Sequence, residues 1–372
     1  MHALVTGGAG FIGSHVVDRL LGEGARVRVL DNLLPQAHPT GVAVNLSSDA
    51  ELVRGDLRDP DAVARALEGV DTVFHLGGIV GNGQSMVEVR LYSDINVVGT
   101  AVLLEGVVAR RAHVRRLVVA SSMVVYGDGA YLCPEHGRLT TAPVRTREHM
   151  QARDFEPRCP TCHVVVSPTA IGETDRLAPT SVYGIGKRDQ EELSLTLGKA
   201  YGLPTIALRY LNTYGSRQAL SNPYTGVCAI MAMRMLLGKR PVLFEDGAQL
   251  RDPIHVSDIA RATVLAAHAE ERAVGRAYNI GAGRPTTVNE MARALAAAIG
   301  STVEPEVTYA FREGDIRHCF GDTSAAARDL GFSARISFDE GARELVRWAE
   351  TQRPEDHTER ANAELKSRGL IR

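Results

Sequence analysis

Apolar and polar positions along the chain fall into two alternating patterns. Ala3-Leu4-Val5-Thr6 is a short apolar run that reads as a strand. After it, Ile12, Val16, Val17, Leu20 and Leu21 recur at helical spacing, and Gly22 and Gly24 end the helix. A second run, Arg26 to Leu30, ends in Asp31. The alternation continues with Leu52-Val53 before Gly55, Thr72 to Leu76 before Gly77-Gly78, Leu117 to Ala120 before Ser121-Ser122, and Thr205 to Leu208 before Arg209. Short apolar strands separated by helical stretches predict an α/β chain with a doubly wound parallel sheet. Further on, Asn279-Ile280-Gly281 closes another strand, and Val288 to Ile299 predicts an Ala-rich amphipathic helix.

At 372 residues the chain has room for one large α/β domain and a smaller lobe. Its 44% hydrophobic and 23% charged content, with a net charge of −2 and no block of like charges, argues against a nucleic-acid-binding face. The nearest basic cluster, Arg110, Arg111, Arg115 and Arg116, reads as the polar end of a helix. No apolar run is expected to reach the ~18 residues of a membrane span. The first strand begins at Ala3 with no room for a signal peptide, so a cytoplasmic protein without membrane partners is expected. Disulfides are rare there, and the five cysteines are expected as free thiols or metal ligands.

Gly7-Gly8-Ala9-Gly10-Phe11-Ile12-Gly13 lies between the first strand and the first helix. Glycines let a backbone approach phosphates closely, and the helix N-terminus offers free N–H groups, so the order strand, turn, helix suits a pyrophosphate. Asp31, 18 residues after Gly13, can accept hydrogen bonds from ribose hydroxyls and would repel a 2′-phosphate, which favours NAD over NADP. Tyr183 and Lys187 fall four apart on a predicted helix and so share a face. An ammonium beside a phenol favours the phenolate, which predicts a tyrosine base of lowered pKa. Ser122 lies beyond the carboxyl end of its strand, where doubly wound sheets bind ligands.

With these residues in place the chain resembles the extended short-chain dehydrogenase/reductase family of nucleotide-sugar epimerases and dehydratases, from about residue 1 to 350. The motifs carrying the resemblance are Thr6 to Gly13, Asp31-Asn32-Leu33, Gly55-Asp56-Leu57, Asn96 to Thr100, Ser121-Ser122 through Tyr126-Gly127, Tyr183 with Lys187, Leu208 to Asn212, Asp246 to Val256, and Arg312 to Arg317. The resemblance implies a Rossmann-type sheet with a smaller C-terminal substrate-binding α/β lobe. It implies Ser122, Tyr183 and Lys187 as the catalytic set. The NAD site would comprise Gly7, Gly10, Phe11, Ile12, Gly13, Asp31, Asn32, Asp56, Leu57, Leu76, Gly77, Gly78, Asn96, Ser121, Tyr183 and Lys187. Ser122, Met123, Asn212, Asn222, Arg251, Arg312 and Arg317 would meet a nucleotide-sugar substrate, the arginines at its diphosphate. A homodimer through the helices near 92–110 and 181–200 is also implied.

Two departures matter. Gly77-Gly78 stands where many relatives carry two alanines, a small change expected to leave room for a pyrophosphate. Met123-Val124 stands where dehydrating relatives place Asp-Glu and decarboxylating ones keep a glutamate. Without extra carboxyl groups, the simplest chemistry is oxidation and re-reduction at one carbon. The expected activity is therefore 4-epimerisation: Tyr183 takes the 4-hydroxyl proton, C4 gives a hydride to NAD, and the keto sugar turns before the hydride returns. The expected substrate is a dTDP-6-deoxyhexose such as dTDP-L-rhamnose, with a UDP-hexose or UDP-glucuronate as the alternative, and the alternatives to this chemistry are a 4-ketoreductase and an inactive NAD-binding scaffold.

The expected division is 1–127, 173–214 and 253–282 for the NAD domain, 215–252 and 283–350 for the nucleotide-sugar lobe, and 351–372 for a charged surface tail. Residues 128–172 form an insertion carrying Cys133-Pro134-Glu135-His136 and Cys159-Pro160-Thr161-Cys162-His163. Two such hooks about 25 residues apart predict a closed Cys₃His zinc site of Cys133, His136, Cys159 and Cys162, with His149 or His163 as alternatives to His136. Having no open position, it would be structural. Cys228 and Cys319 read as buried thiols. The insertion also resembles that of bacterial epimerases acting on dTDP-6-deoxyhexoses, the dTDP-L-rhamnose 4-epimerase type.

Overall fold

Seven strands pair in parallel: β1 (His2–Thr6), β2 (Arg26–Asp31), β3 (Glu51–Arg54), β4 (Thr72–His75), β5 (Arg116–Ser122), β6 (Thr205–Tyr210) and β7 (Arg276–Ile280). The computed structural model describes residues 1–312 and 314–372, so Glu313 of the Arg312–Arg317 motif lies outside the described residues. The order across the sheet is β7-β6-β5-β4-β1-β2-β3, with Val5 in register with Val29 and Phe74. Strand order reverses about β1 and β4, which opens a crevice at their carboxyl ends.

Successive side chains point to opposite faces of a strand, and here each face meets a helical layer. Ala3, Val5, Val29, Phe74 and Val118 pack with Val16, Val17 and Leu20 of α1 (Phe11–Gly22). Leu4, Leu30, Val73, Leu117 and Val119 pack with Ala62 and Val63 of α2 (Pro60–Ala66) and Leu103, Leu104 and Val107 of α3 (Val89–Ala109). Contrary to the sequence expectation, α3 is long and apolar enough by composition to cross a membrane. It lies instead against α2 and α4 (Val182–Tyr201). Ser181 caps α4 by accepting from Gly184 N–H at 3.0 Å, and Gly202, at φ +64°, ends it in the left-handed region that favours glycine. α5 (Val256–His268) covers the sheet beside α1.

Helices Val227–Leu236, Val288–Ile299 and Phe338–Ala349 enclose a separate core of Met231, Met235, Met291, Leu295, Leu345 and Val346. The predicted Val288 helix opens on a capping box between Thr287 and Glu290. The insertion contains a small antiparallel sheet of Gly137–Arg138, Ala130–Cys133 and Ser167–Thr169. The tail is docked: helix Thr358–Ser367 buries Ala361 and Leu365, and Asp356 pairs with Arg234 at 2.8 Å.

Candidate active site

A cavity of about 530 Å³ runs along the carboxyl ends of β1, β2, β4 and β5 and continues between the two lobes. Its inner end is the glycine turn. Gly7 adopts φ +67°, and a Cβ there would sit 2.8 Å from the Gly77 Cα, so the turns after β1 and β4 touch. A Cβ on Gly13 would lie 2.1 Å from the Gly7 carbonyl oxygen. Only a side-chain-free turn closes this tightly over the start of α1, and the cradle it forms fits a pyrophosphate. Asp31 lines the same cavity and is fixed by the N–H groups of Ala9 at 3.1 Å and Leu33 at 2.9 Å.

Gly77 and Gly78 line the cavity, while on their Cβ side the space is taken: added Cβ atoms would meet Leu57 Cδ1 at 2.6 Å and Asn96 Oδ1 at 2.8 Å.

Gly7, Gly10, Phe11, Ile12, Gly13, Asp31, Asn32, Asp56, Leu57, Leu76, Gly77, Gly78, Ser121, Tyr183 and Lys187 all line the cavity. Asn96 does not. It is fully buried and clamps Ile79, accepting from its N–H at 2.8 Å and donating to its carbonyl at 3.0 Å, so it braces the turn from behind. The Ser121 hydroxyl is likewise turned inward, donating to Glu191 at 2.6 Å. Asp56 is gripped by Arg58 and accepts from Asn32 Nδ2 at 3.0 Å, and the guanidinium holds its carboxyl well below the usual carboxylate range.

At the reacting end, Tyr183 and Lys187 share the cavity-facing side of α4, with Ser122 and Met123 at the end of β5 opposite. The Tyr183 N–H donates to Ser85 Oγ at 3.0 Å, and Tyr92 meets its ring edge-on at 6.4 Å. The expected lowering of the phenol pKa is not what the protein alone produces. Burial pushes Tyr183 up to about 12, against a smaller opposing effect of Ser122, and pulls Lys187 down to about 8. Desolvation penalises both charged forms, and the opposing effects, Ser122 on the phenol and Glu191 on the ammonium, are smaller. Behind them, His75 is neutral: burial and the nearby Lys187 lower it to about 3. Its ring nitrogens bond Thr6 and Thr100, each at 2.8 Å, and so link the glycine turn to α3.

At the outer end, Asn212, Asn222 and Arg251 line the cavity, whereas Arg312 and Arg317 do not. Arg312 stacks on Phe244 at 3.9 Å and donates to Asn362 at 3.2 Å. Arg317 is 1% exposed and enclosed by Glu156, Glu245 and Asp246. Both are held by the fold and not presented to a ligand. Residues outside the predicted set also line the wall, among them Gln36, His38, Arg217, Tyr224 and Asp315. The polar loop following Asp31 and the Ser216-Arg217-Gln218 turn were the available signals.

In the insertion, Cys133 Sγ, His136 Nδ1, Cys159 Sγ and Cys162 Sγ all lie within 4.8 Å of one another. Cys133 Sγ is 3.4 Å from the His136 nitrogen and 3.5 Å from Cys162 Sγ, and Cys159 Sγ is 3.7 Å from that nitrogen. Tetrahedral zinc, at roughly 2.3 Å from sulfur and 2.0 Å from nitrogen, needs ligands about 3.5–3.8 Å apart, and the donor set fits. His149 and His163 stand outside the cluster.

The NAD dependent epimerase/dehydratase family model matches residues 3–152 and 159–281. The chain belongs to this family. It is 36% identical over 349 residues to the dTDP-L-rhamnose 4-epimerase of Burkholderia thailandensis, covering 93% of this chain and 94% of that protein. The UDP-glucose 4-epimerase of Thermotoga maritima with UDP-glucose superposes with a TM-score of 0.76 at 31% identity, covering 94% of this chain and 99% of that one. That of Thermus thermophilus, in complex with NAD, gives 0.74 at 31% identity over 95% and 100%. The enzyme is thus an NAD-dependent epimerase, an isomerase.

Proposed function

We propose that the enzyme inverts C4 of a nucleotide-linked 6-deoxyhexose, with dTDP-L-rhamnose or a close analogue as substrate. The observation that carries this reading is the wall beside Ser122. Met123 and Val124 occupy it, so Tyr183 acts without a neighbouring carboxyl group to drive elimination. An apolar wall also suits a sugar that ends in a methyl group, because a hydroxymethyl or carboxylate would be desolvated there without a partner. The rhamnose-epimerase relative supports the same choice. NAD, when bound, supplies the acceptor and donor for the C4 hydride. Tyr183 removes the 4-hydroxyl proton and later returns it, Ser122 holds that hydroxyl, and Lys187 holds the cofactor-side ribose. Asn212, Asn222 and Arg251 bind the diphosphate end.

The reading includes a structural zinc on Cys133, His136, Cys159 and Cys162, and a homodimer joined through α3 and α4. Val98 and Ile185, 47% and 49% exposed on those helices, are apolar positions such a partner would cover. The test is a panel of dTDP- and UDP-sugars incubated without added cofactor and followed by NMR coupling constants. Inversion at C4 of the 6-deoxyhexose, faster than for UDP-glucose, is the expected result. Preference for the UDP-hexose would replace this substrate with the one suggested by the Thermotoga relative.

A further inference from the structure

Arg317 belongs to a relay between the insertion and the substrate wall. Glu156 of the insertion accepts from Arg317 Nε at 3.0 Å and Nη2 at 2.6 Å, and its other oxygen bonds His318 Nε2 at 3.0 Å. Glu245 and Asp246 accept from Arg317 Nη1 at 2.7 and 2.6 Å. Arg145, also of the insertion, pairs with Glu245 and donates to the Asp315 carbonyl at 3.0 Å. The Tyr131 hydroxyl accepts from the His318 N–H at 3.3 Å, and Met150 and Phe155 pack on Phe311. The insertion therefore grips Phe311, Asp315, Arg317 and His318 through both charge and apolar contact.

That segment in turn aims Arg251. The carbonyls of Leu250 and Arg317 accept from its Nη1 at 2.8 and 2.9 Å, and the Ile316 carbonyl accepts from Nη2 at 2.6 Å. These three bonds engage both Nη groups, and among the described residues no partner takes the Nε–H, so the Nε side of the guanidinium is left to meet a phosphate.

The insertion needs something to hold its own shape. Its core is Tyr131, Cys133, Cys159 and Val166, and two of these four are candidate metal ligands. So small a cluster is not self-sufficient, whereas metal binding supplies folding free energy directly. Tyr131 stands two residues before Cys133, and Glu156 three before Cys159, so the grip hangs from the two hooks that a metal would join.

We infer that Glu156 and Arg317 are positioning residues that connect a zinc-closed insertion to Arg251, and so set affinity for the substrate diphosphate and not the rate at C4. This rests on the reading of the cleft as a nucleotide-sugar site. The test compares wild type, Glu156→Gln and a Cys159→Ser/Cys162→Ser double variant. Zinc is measured by elemental mass spectrometry, thymidine diphosphate affinity by calorimetry, and turnover by steady-state kinetics. Wild type should hold about one zinc per chain. Glu156→Gln should keep its zinc while Kd for thymidine diphosphate and KM rise about tenfold, with kcat within about twofold. The double variant should lose the metal and show the same rise. Unchanged affinity in both variants, or a zinc-free wild type of full affinity, overturns the inference. A wild type that binds no nucleoside diphosphate overturns the reading of the cleft instead.

Discussion

Tyr183 and Lys187 show what the candidate active site costs the fold. A lysine that ordinarily titrates at 10.5 has been lowered to about 8 by burial, so at pH 7 the fold carries an ammonium in a place that disfavours charge. The sign follows from proton counts. Between pH 8 and 10.5 the unfolded chain binds the proton that the folded chain has lost, so stability rises with pH there, and the penalty is complete below pH 8. Lys187→Met should stabilise the cofactor-free protein at pH 7 by an amount on the order of 3 kcal/mol, at about 1.4 kcal/mol per pKa unit. Urea denaturation at pH 7 and pH 10.5 checks this: the gain should shrink at the higher pH, and a pH-independent gain would assign it to packing. Tyr183→Phe separates chemistry from binding. Removing the hydroxyl should lower kcat by about 10²–10⁴-fold while NAD still copurifies, because the ring contact with Tyr92 and the backbone bond to Ser85 remain. Near-normal turnover would exclude the phenol as the acid–base.

Among the elements, the turn from β1 to α1 is where sequence reading succeeds, because geometry admits few residues there. A Cβ at Gly13 would lie 2.1 Å from a backbone oxygen, so glycine is required by contact and its place in the sequence already says so. Gly13→Ala should weaken NAD binding by more than about tenfold, since relieving that contact means opening the cradle. Fluorescence titration with NADH measures the loss, and circular dichroism checks that the fold persists; unchanged affinity would mean the turn is not the pyrophosphate site. The same reasoning explains what was not legible. The sequence displays the guanidiniums of Arg312 and Arg317 but not what faces them. Arg317 meets Glu156, 161 residues earlier, and Asp246, 71 residues earlier, partners that only the tertiary fold brings together. The Cys and His hooks were readable because ligand spacing is local, and the choice of His136 needed coordinates because three histidines were near enough in sequence. The pKa expectation for Tyr183 failed for a related reason: helical spacing gives the neighbour, but only burial gives the dielectric.

At the scale of the whole molecule, the insertion, the small lobe and the cleft wall meet in one set of charges around the buried Arg317, and acid should find it first. Glu156 is held at about 2, below its ordinary 4.5, chiefly by its bond to His318 and then by Arg317. A carboxyl with a depressed folded pKa contributes stability that is fully present above its unfolded pKa and is lost as pH falls through the folded one. The contribution of Glu156 should therefore be intact above pH 4.5 and fade towards pH 2. Its side chain is 38% exposed, so solvent screening reduces the effect below what the shift alone implies. Glu156→Gln cannot lose that proton-linked share. Thermal melts of the two proteins should differ at pH 6–7, where the wild type is more stable, and converge as pH falls below about 4.5. Loss of the proposed zinc, as acid protonates cysteine and histidine ligands in both proteins, would lower the two curves together and cancel in their difference. A difference that stays constant down to pH 3 would mean that the glutamate acts through shape alone, and that the charge of Arg317 is balanced by Glu245 and Asp246 without help from the insertion.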